Sequence, residues 1–410
     1  MFHRLTTAAL GLAAVLLCPR LGAAQQPTPL TLEEALAQAR QQAPALLEAA
    51  GRVAEAQGRV AGAAPLLRDN PTLEAEAGPR TLEDGSRAPD VAVGLSQPFE
   101  LGGKRGARRD AARAALASAT SRLRDAERQV LGQVAASFLR TLQARERLRL
   151  ARVAQEAAQD IFQVAQRRFE AGDVPVVDAN VARVALARAR ASVAGVEGEE
   201  AARLGELRVL LGLPADAALE VTGDLNALAR QPVEMPAAPP ERPDITALTE
   251  ELKEAQAELR LAQAAAWPDL SLGVRYEREG NESAIVGGLS VPLPFFSRGQ
   301  EARATSSARV RLLEQALEAT RRVRNAQVEA ALAQYRKNHE ALETLEREAL
   351  PLLTENESLA RKSYESGEMG LAEFLLVRRD VLDARADYLD RLLEAALSRV
   401  HLAAQVGVLR

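Results

Sequence analysis

His339 and His401 are the only imidazoles beyond His3, and each stands alone in a run of helical pattern. A hydrolase needs a general base with a nucleophile in reach. Neither histidine has a Ser or Cys elbow nearby, so a solvated helix face is the expected place for both. Soft metal ligands are as sparse. Cys18 is the single cysteine, and Met235 and Met369 are the only methionines besides Met1. With so few soft ligands the chain is not expected to select a metal ion by stable ligation, which leaves only transient contact with carboxylates. Gly102-Gly103-Lys104-Arg105 offers backbone amides and cations to a phosphate. It lacks the full spacing and the following Ser/Thr of a phosphate-binding loop. The expectation is a protein without catalytic residues, cofactor or metal site.

If no side chain does chemistry, the elements carry the function. Residues 1–24 read as an export signal. His3 and Arg4 open it, Thr6 to Cys18 is an apolar run of thirteen residues, and Gly22-Ala23-Ala24 offers small residues for cleavage. Thirteen residues are too few to span a bilayer as a helix. Lipid attachment at Cys18 is the alternative to simple cleavage, but Leu16-Leu17 are not the small residues that attachment prefers. Aromatics are only 3% of the 410 residues, a composition suited to long, closely packed helices. The formal charge of −4 is spread evenly, which argues against a nucleic-acid surface.

The chain repeats itself. Phe169-Glu-Ala-Gly172-Asp173 returns as Tyr364-Glu-Ser-Gly367-Glu368, 195 residues later. Leu95-Ser-Gln-Pro98 returns as Leu289-Ser-Val-Pro292, 194 residues on, and Pro71-Thr-Leu as Pro268-Asp-Leu, 197 on. The first unit, 25–213, contains helices from Leu32 to about Leu67, with Thr31 and Glu34 as a capping box and Pro44 as a break. A β-hairpin over 71–98 follows, with a loop from Gly78 to Asp90, and then a long helical hairpin over 106–211. A proline-rich linker, 214–243, joins it to the second unit, 244–410. That unit has a helix, a β-hairpin over 268–292 and a helical hairpin over 300–407, interrupted by Pro351. In the first hairpin Leu116, Leu123, Val130, Val134, Phe138 and Leu142 keep steps of seven and four, the spacing of coiled-coil packing. Glycine at 172 and 367 suits a reversal that needs positive φ.

The strands alternate. Leu73, Ala75 and Ala77 share one face, as do Val91, Val93 and Leu95, then Leu270, Leu272, Val274 and Tyr276, and finally Ile285, Gly287, Leu289 and Val291. Apart from Val286, small or polar residues fill the other. Four strands are too few for a substantial sandwich core, and this alternation suits lipid on one side and a lumen on the other. Open edges do not survive in lipid, so four strands per chain require several chains. Two copies make a minimal filled barrel; three make twelve strands and a lumen. A filamentous coiled coil explains the helices but not the hairpins.

Together these pieces resemble the TolC family of outer-membrane efflux channels, across essentially the whole mature chain. The resemblance rests on Arg168-Phe169…Gly172 and Tyr364…Gly367 with their following helices, ending near Arg190 and Arg385. Leu95-Ser-Gln-Pro-Phe-Glu-Leu-Gly-Gly-Lys-Arg105 and Leu289-Ser-Val-Pro-Leu-Pro-Phe-Phe-Ser-Arg298 look most like the branch that serves cobalt–zinc–cadmium or copper RND pumps. It implies a mainly α protein with transmembrane β. Three protomers would form one twelve-stranded barrel continuing into a periplasmic α-helical tunnel, with the linker in an equatorial belt. It implies a homotrimer in outer-membrane lipid whose tip, at Gly172, Asp173, Gly367 and Glu368, meets a membrane-fusion adaptor that bridges to an inner-membrane RND pump. Family members gate this tip with acids just beyond the turns. Asp178 and Glu373 match those positions, with Arg183 and Arg378 five residues further as candidate latch partners. Leu376 stands where some members carry a second acid, so a second ring is not expected. The alternatives are a drug or type I secretion exit duct of the same fold, or a periplasmic coiled-coil adaptor or scaffold without a pore.

Overall fold

The computed structural model describes residues 28–81, 85–235, 241–279, 282–293, 295–296 and 298–408. The expected export signal therefore lies outside the described residues. No helix among them is long and apolar enough to cross a membrane.

β1 (Thr28–Leu30) leads into α1 (Leu32–Gln42) and α2 (Pro44–Ala63). Thr31 caps α1 as its sequence foretells: its hydroxyl accepts from the Glu34 N–H at 3.3 Å, while the Glu34 carboxylate accepts from the Thr31 N–H at 2.8 Å. That bond holds the Glu34 carboxyl below its ordinary pKa. Pro44 takes the first position of α2, where its missing N–H costs nothing.

β2 (Thr72–Thr81) and β3 (Arg87–Phe99) form the first hairpin, and β5 (Leu270–Glu279) and β6 (Glu282–Ser290) the second. Both pairs of strands run several residues into segments whose polarity suggests loops. Backbone pairing continues through Pro79 and Pro89 to Thr81 and Arg87, and Arg80 donates to Asp90 and Glu279 at 2.6 Å. Strand length here follows the ladder rather than the hydropathy. The four strands make one antiparallel sheet in the order β2-β3-β5-β6.

α3 (Lys104–Glu170) is one uninterrupted helix, and α4 (Val176–Leu211) returns alongside it. Val130, Val134, Phe138 and Leu142 of the heptad series are buried, and Leu116 and Leu123 are half-buried. The expected linker is more ordered than its prolines suggest. It contains β4 (Leu219–Val221), which pairs in parallel with β1, and α5 (Leu225–Arg230), capped by Asp224. These pieces are too short to leave a periodic signal. α6 (Pro243–Ala264) precedes the second hairpin, and α7 (Gln300–Thr344) follows it. A five-residue π turn, Leu345–Ala349, separates α7 from α8 (Leu350–Glu365), and α9 (Leu371–Val406) closes the chain.

The main core lies where α1, α5 and the β1–β4 pair wrap α3, α4 and α9. Phe138, Leu139, Leu142, Leu207 and Leu211 are fully buried there. Gly212 ends α4 with φ +70°. A Cβ at this position would sit 2.5 Å from the Gln42 carbonyl oxygen and 3.3 Å from Pro44 Cδ. Gly212→Ala is expected to cost about 1–3 kcal/mol of left-handed strain, with the clash in addition. The check is thermal unfolding, which should show a lower midpoint than wild type.

Candidate functional site

The sheet has two chemically distinct faces. Register places Leu73 opposite Leu95, Leu95 opposite Val274, and Val274 opposite Gly287. Tyr276 faces Val93 and Ile285 in the same way. All these large apolar side chains are exposed in the single chain. A continuous exposed apolar sheet face is what lipid covers. The opposite face carries Glu74, Glu76, Gly94, Ser96, Gly273, Arg275 and Glu277. There Arg275 pairs with Glu76 and, at 3.0 Å, with Glu277. Strand direction alternates across the sheet, and β2 and β6 each keep one edge unpaired within the chain.

At the far end of the helices, the two turns repeat one geometry. Gly172 has φ +83° and Gly367 φ +78°. Asp173 N–H donates to the Arg168 carbonyl at 2.9 Å, and Glu368 N–H to the Ser363 carbonyl at 2.9 Å. Each is a glycine-terminated helix end in which a carbonyl left over by the helix accepts from beyond the turn. A Cβ at either glycine would meet nothing within 4 Å, so backbone conformation and not space requires glycine here. Asp173 and Glu368 are exposed.

A small separate core joins the two turns. Ile161 and Ala165 of α3, Ala182 of α4, Ala360 of α8, and Leu371 and Phe374 of α9 pack together. Tyr364 stacks on Phe374 with ring centroids 4.8 Å apart and planes 1° apart. The structure therefore brings both turns and both acids to one end of the molecule. Asp178 and Glu373 each lie in the first turn of the returning helix, half-buried and exposed respectively. A carboxylate there also complements the helix dipole.

The arginines do not pair with those acids within one chain. The Arg183 guanidinium lies 5.7 Å from the centre of the Phe162 ring, a cation–π contact. Arg378 lines a groove of about 960 Å³ between α3, α4 and α9, with Val177, Val184, Arg188 and Leu376. Burial lowers its pKa from the ordinary arginine value; Arg361 and Arg385 add to this and Glu357 opposes it. α3 and α9 are tied directly across the repeats. Arg147 grips Asp390 at 2.6 and 2.7 Å, and Gln143 donates to the same carboxylate at 2.6 Å.

The histidines stand apart from this end. His401 is exposed, as expected. His339 is half-buried rather than on an open face: its Nε2 lies 3.0 Å from the Ala229 carbonyl oxygen and its Nδ1 3.1 Å from that of Tyr335. Sequence missed this because α5, which supplies Ala229, left no signal of its own. Among the described residues no group of three or more His, Cys, Asp or Glu is placed to hold a metal ion.

The model of the family described as outer membrane efflux protein matches residues 35–213 and again 237–408. The cobalt-zinc-cadmium resistance protein CzcC of Cupriavidus metallidurans is 28% identical over 404 residues, covering 93% of this chain and 94% of its own. Among solved structures, CusC superposes with a TM-score of 0.76 at 20% identity, covering 92% of this chain and 91% of its own. The CmeC outer membrane channel of Campylobacter jejuni gives 0.78 at 17% identity, covering 92% and 85%. The duplicated helical hairpins, the two-faced sheet and the double match agree. The chain belongs to the outer membrane efflux protein family, a passive outer-membrane channel with a helical extension into the periplasm rather than an enzyme.

Proposed function

We propose that three copies of this chain form the exit duct of a tripartite efflux system, and that its cargo is heavy-metal cations. An inner-membrane RND-type pump would deliver the cargo through a periplasmic adaptor. The observation that carries the reading is the four-stranded sheet with one exposed apolar face and two unpaired edges. Strand directions alternate, so β6 of one copy meets β2 of the next as an antiparallel neighbour, and a ring of copies leaves no edge open. Two copies would give eight strands with a lumen filled by side chains; three give twelve and a duct. A poreless adaptor or scaffold has no use for such a sheet. At the periplasmic tip, Gly172, Asp173, Gly367 and Glu368 are the docking surface for the adaptor. Asp178 and Glu373 form the gating carboxylates, with Arg183 and Arg378 about one and a half turns further along the same helices.

Metal cargo rests on the likeness to CzcC along nearly the whole chain. A drug or secretion duct of the same fold is the competing assignment. Deleting the gene should sensitise cells to one or more of Co²⁺, Zn²⁺, Cd²⁺ and Cu⁺, with rescue by the intact gene. Sensitivity to a drug panel without metal sensitivity would refute the metal assignment and leave the duct standing.

A further inference from the structure

α6 is the second-repeat copy of α2. Pro243 matches Pro44 near the start of each helix, and Glu254-Ala255-Gln256 repeats Glu55-Ala56-Gln57, both 199 residues apart. Burial keeps the same offset: Ile245, Ala255 and Ala262 are buried, as are Leu46, Ala56 and Ala63. α7 copies α3 in the same way. Gly299 and Gly103 precede these helices with φ +72° and +78°, 196 residues apart. At that offset Leu317 and Ala331 are buried, as are Ser121 and Ala135.

The two short helices differ in how they are covered. α6 packs between α7 and α3, and it buries Ala247 and Ala257 as well. Half-buried Glu251 closes its joint with α3. The carboxylate accepts from the Arg122 guanidinium and, at 3.4 Å, from the Ser118 hydroxyl. α2 packs on α3, the match of the α6–α7 contact. Its own residues matching Ala247 and Ala257 are Glu48 and Gly58; both are exposed, and a Cβ at Gly58 would meet nothing within 4 Å. α7 shows the complementary gap: Leu312 is exposed where its match on α3, Leu116, is half-buried. One flank of α2 and one of α7 therefore lack within the chain the cover that their matches have.

The residues on those flanks repeat the α3–α6 joint with its charges exchanged. Glu251 matches Arg52, Arg122 matches Glu318, and Ser118 matches Glu314. Arg52, Glu314 and Glu318 are exposed in the single chain. Arg52 pairs there with Glu48 at 2.6 Å and Glu318 with Arg322 at 4.0 Å, each one turn along its own helix. Exposed pairs of this kind contribute little, so little is lost in exchanging them.

We infer that the uncovered flank of α2 docks on α7 of a second copy of this chain, where Arg52 binds Glu318 and Glu314 of the neighbouring copy. The inference rests on the channel reading, in which β6 of one copy meets β2 of the next. α2 precedes β2 and α7 follows β6, so the edges that meet carry these two helices with them. The exchange of charge also fixes the order of assembly. α2 docked at the α3 site of another copy sets Arg52 against Arg122, and α6 docked on another copy's α7 sets Glu251 against Glu318. Both wrong pairings are repulsive, and repulsion in the wrong complex is a source of specificity.

The test uses the full chain and reads the trimer fraction of outer-membrane preparations on semi-native gels. Arg52→Glu and Glu318→Arg should each lower that fraction about tenfold, because like charges then face each other across the joint. Both positions are exposed in the single chain, so helix content by circular dichroism in detergent should stay that of wild type. Combining the two reversals should restore the trimer to within about twofold of wild type, the non-additivity expected of groups in contact. Arg52→Cys with Glu318→Cys, treated with a short bis-maleimide, should run as covalent trimers, and Arg52→Cys alone should not. If wild type forms trimers but neither reversal changes their yield, or the double reversal is no better than the singles, or the cysteine pair does not cross-link, this contact is overturned and the duct stands. A wild-type chain that forms no oligomer would overturn both.

Discussion

Val274→Arg is expected to abolish assembly of the trimer in the outer membrane. Val274 lies mid-strand on the exposed apolar face, opposite Leu95 on one side and Gly287 on the other. Arginine on a lipid-facing strand position costs about 2–4 kcal/mol at the bilayer midplane. Three copies would put about 6–12 kcal/mol into the proposed barrel, comparable to the whole stability of a typical domain. The neighbouring residue supplies a natural contrast. Arg275 points to the opposite face and is paired there with Glu76 and Glu277. Ser290→Arg, also on that second face, should therefore assemble normally. The readout is the trimer fraction on semi-native gels of outer-membrane preparations. Equal trimer yields from Val274→Arg and wild type would reverse the assignment of the faces.

Neutralising the tip acids is the second large effect. Asp178→Asn combined with Glu373→Gln is expected to raise resting single-channel conductance and reduce preference for cations. In the proposed trimer these positions would bring six carboxylates to one constriction. Like charges so placed repel, attract cations, and need counter-charges to stay together. A change of about 1.4 kcal/mol in that balance shifts a two-state gate tenfold. The cost to folding is small, because an acid in the first turn contributes about 0.3–1 kcal/mol through the helix dipole. Since Arg183 lies over Phe162 and Arg378 is half-buried in the α3/α4/α9 groove, neither neutralises these acids within one chain. Unchanged conductance and selectivity in planar bilayers would remove Asp178 and Glu373 from the gate.

The sequence by itself determined whatever repeats or alternates. The 195-residue offset placed both glycine turns, and their positive φ follows from chain reversal, which glycine adopts without strain. Period-two alternation identified all four sheet strands and their apolar faces. The Thr31–Glu34 capping box and the break at Pro44 were local and therefore legible. What no local signal carried was decided by tertiary structure. β4 and α5 are three and six residues long, too short for periodicity, and exist because the main core and the β1 pairing hold them. His339 reads as a solvated residue until α5 is brought against it. Pro351 announced a break in the helix, but not that the break would be a π turn carrying Glu346, nor that Arg230, 116 residues away, would hold it. Five residues along a helix also left Arg183 and Arg378 near their acids in sequence. Side-chain direction and burial sent one to an aromatic ring and the other into a groove. Repetition wrote the wall into the sequence; contacts between distant short elements, which only folding creates, decided how that wall is braced.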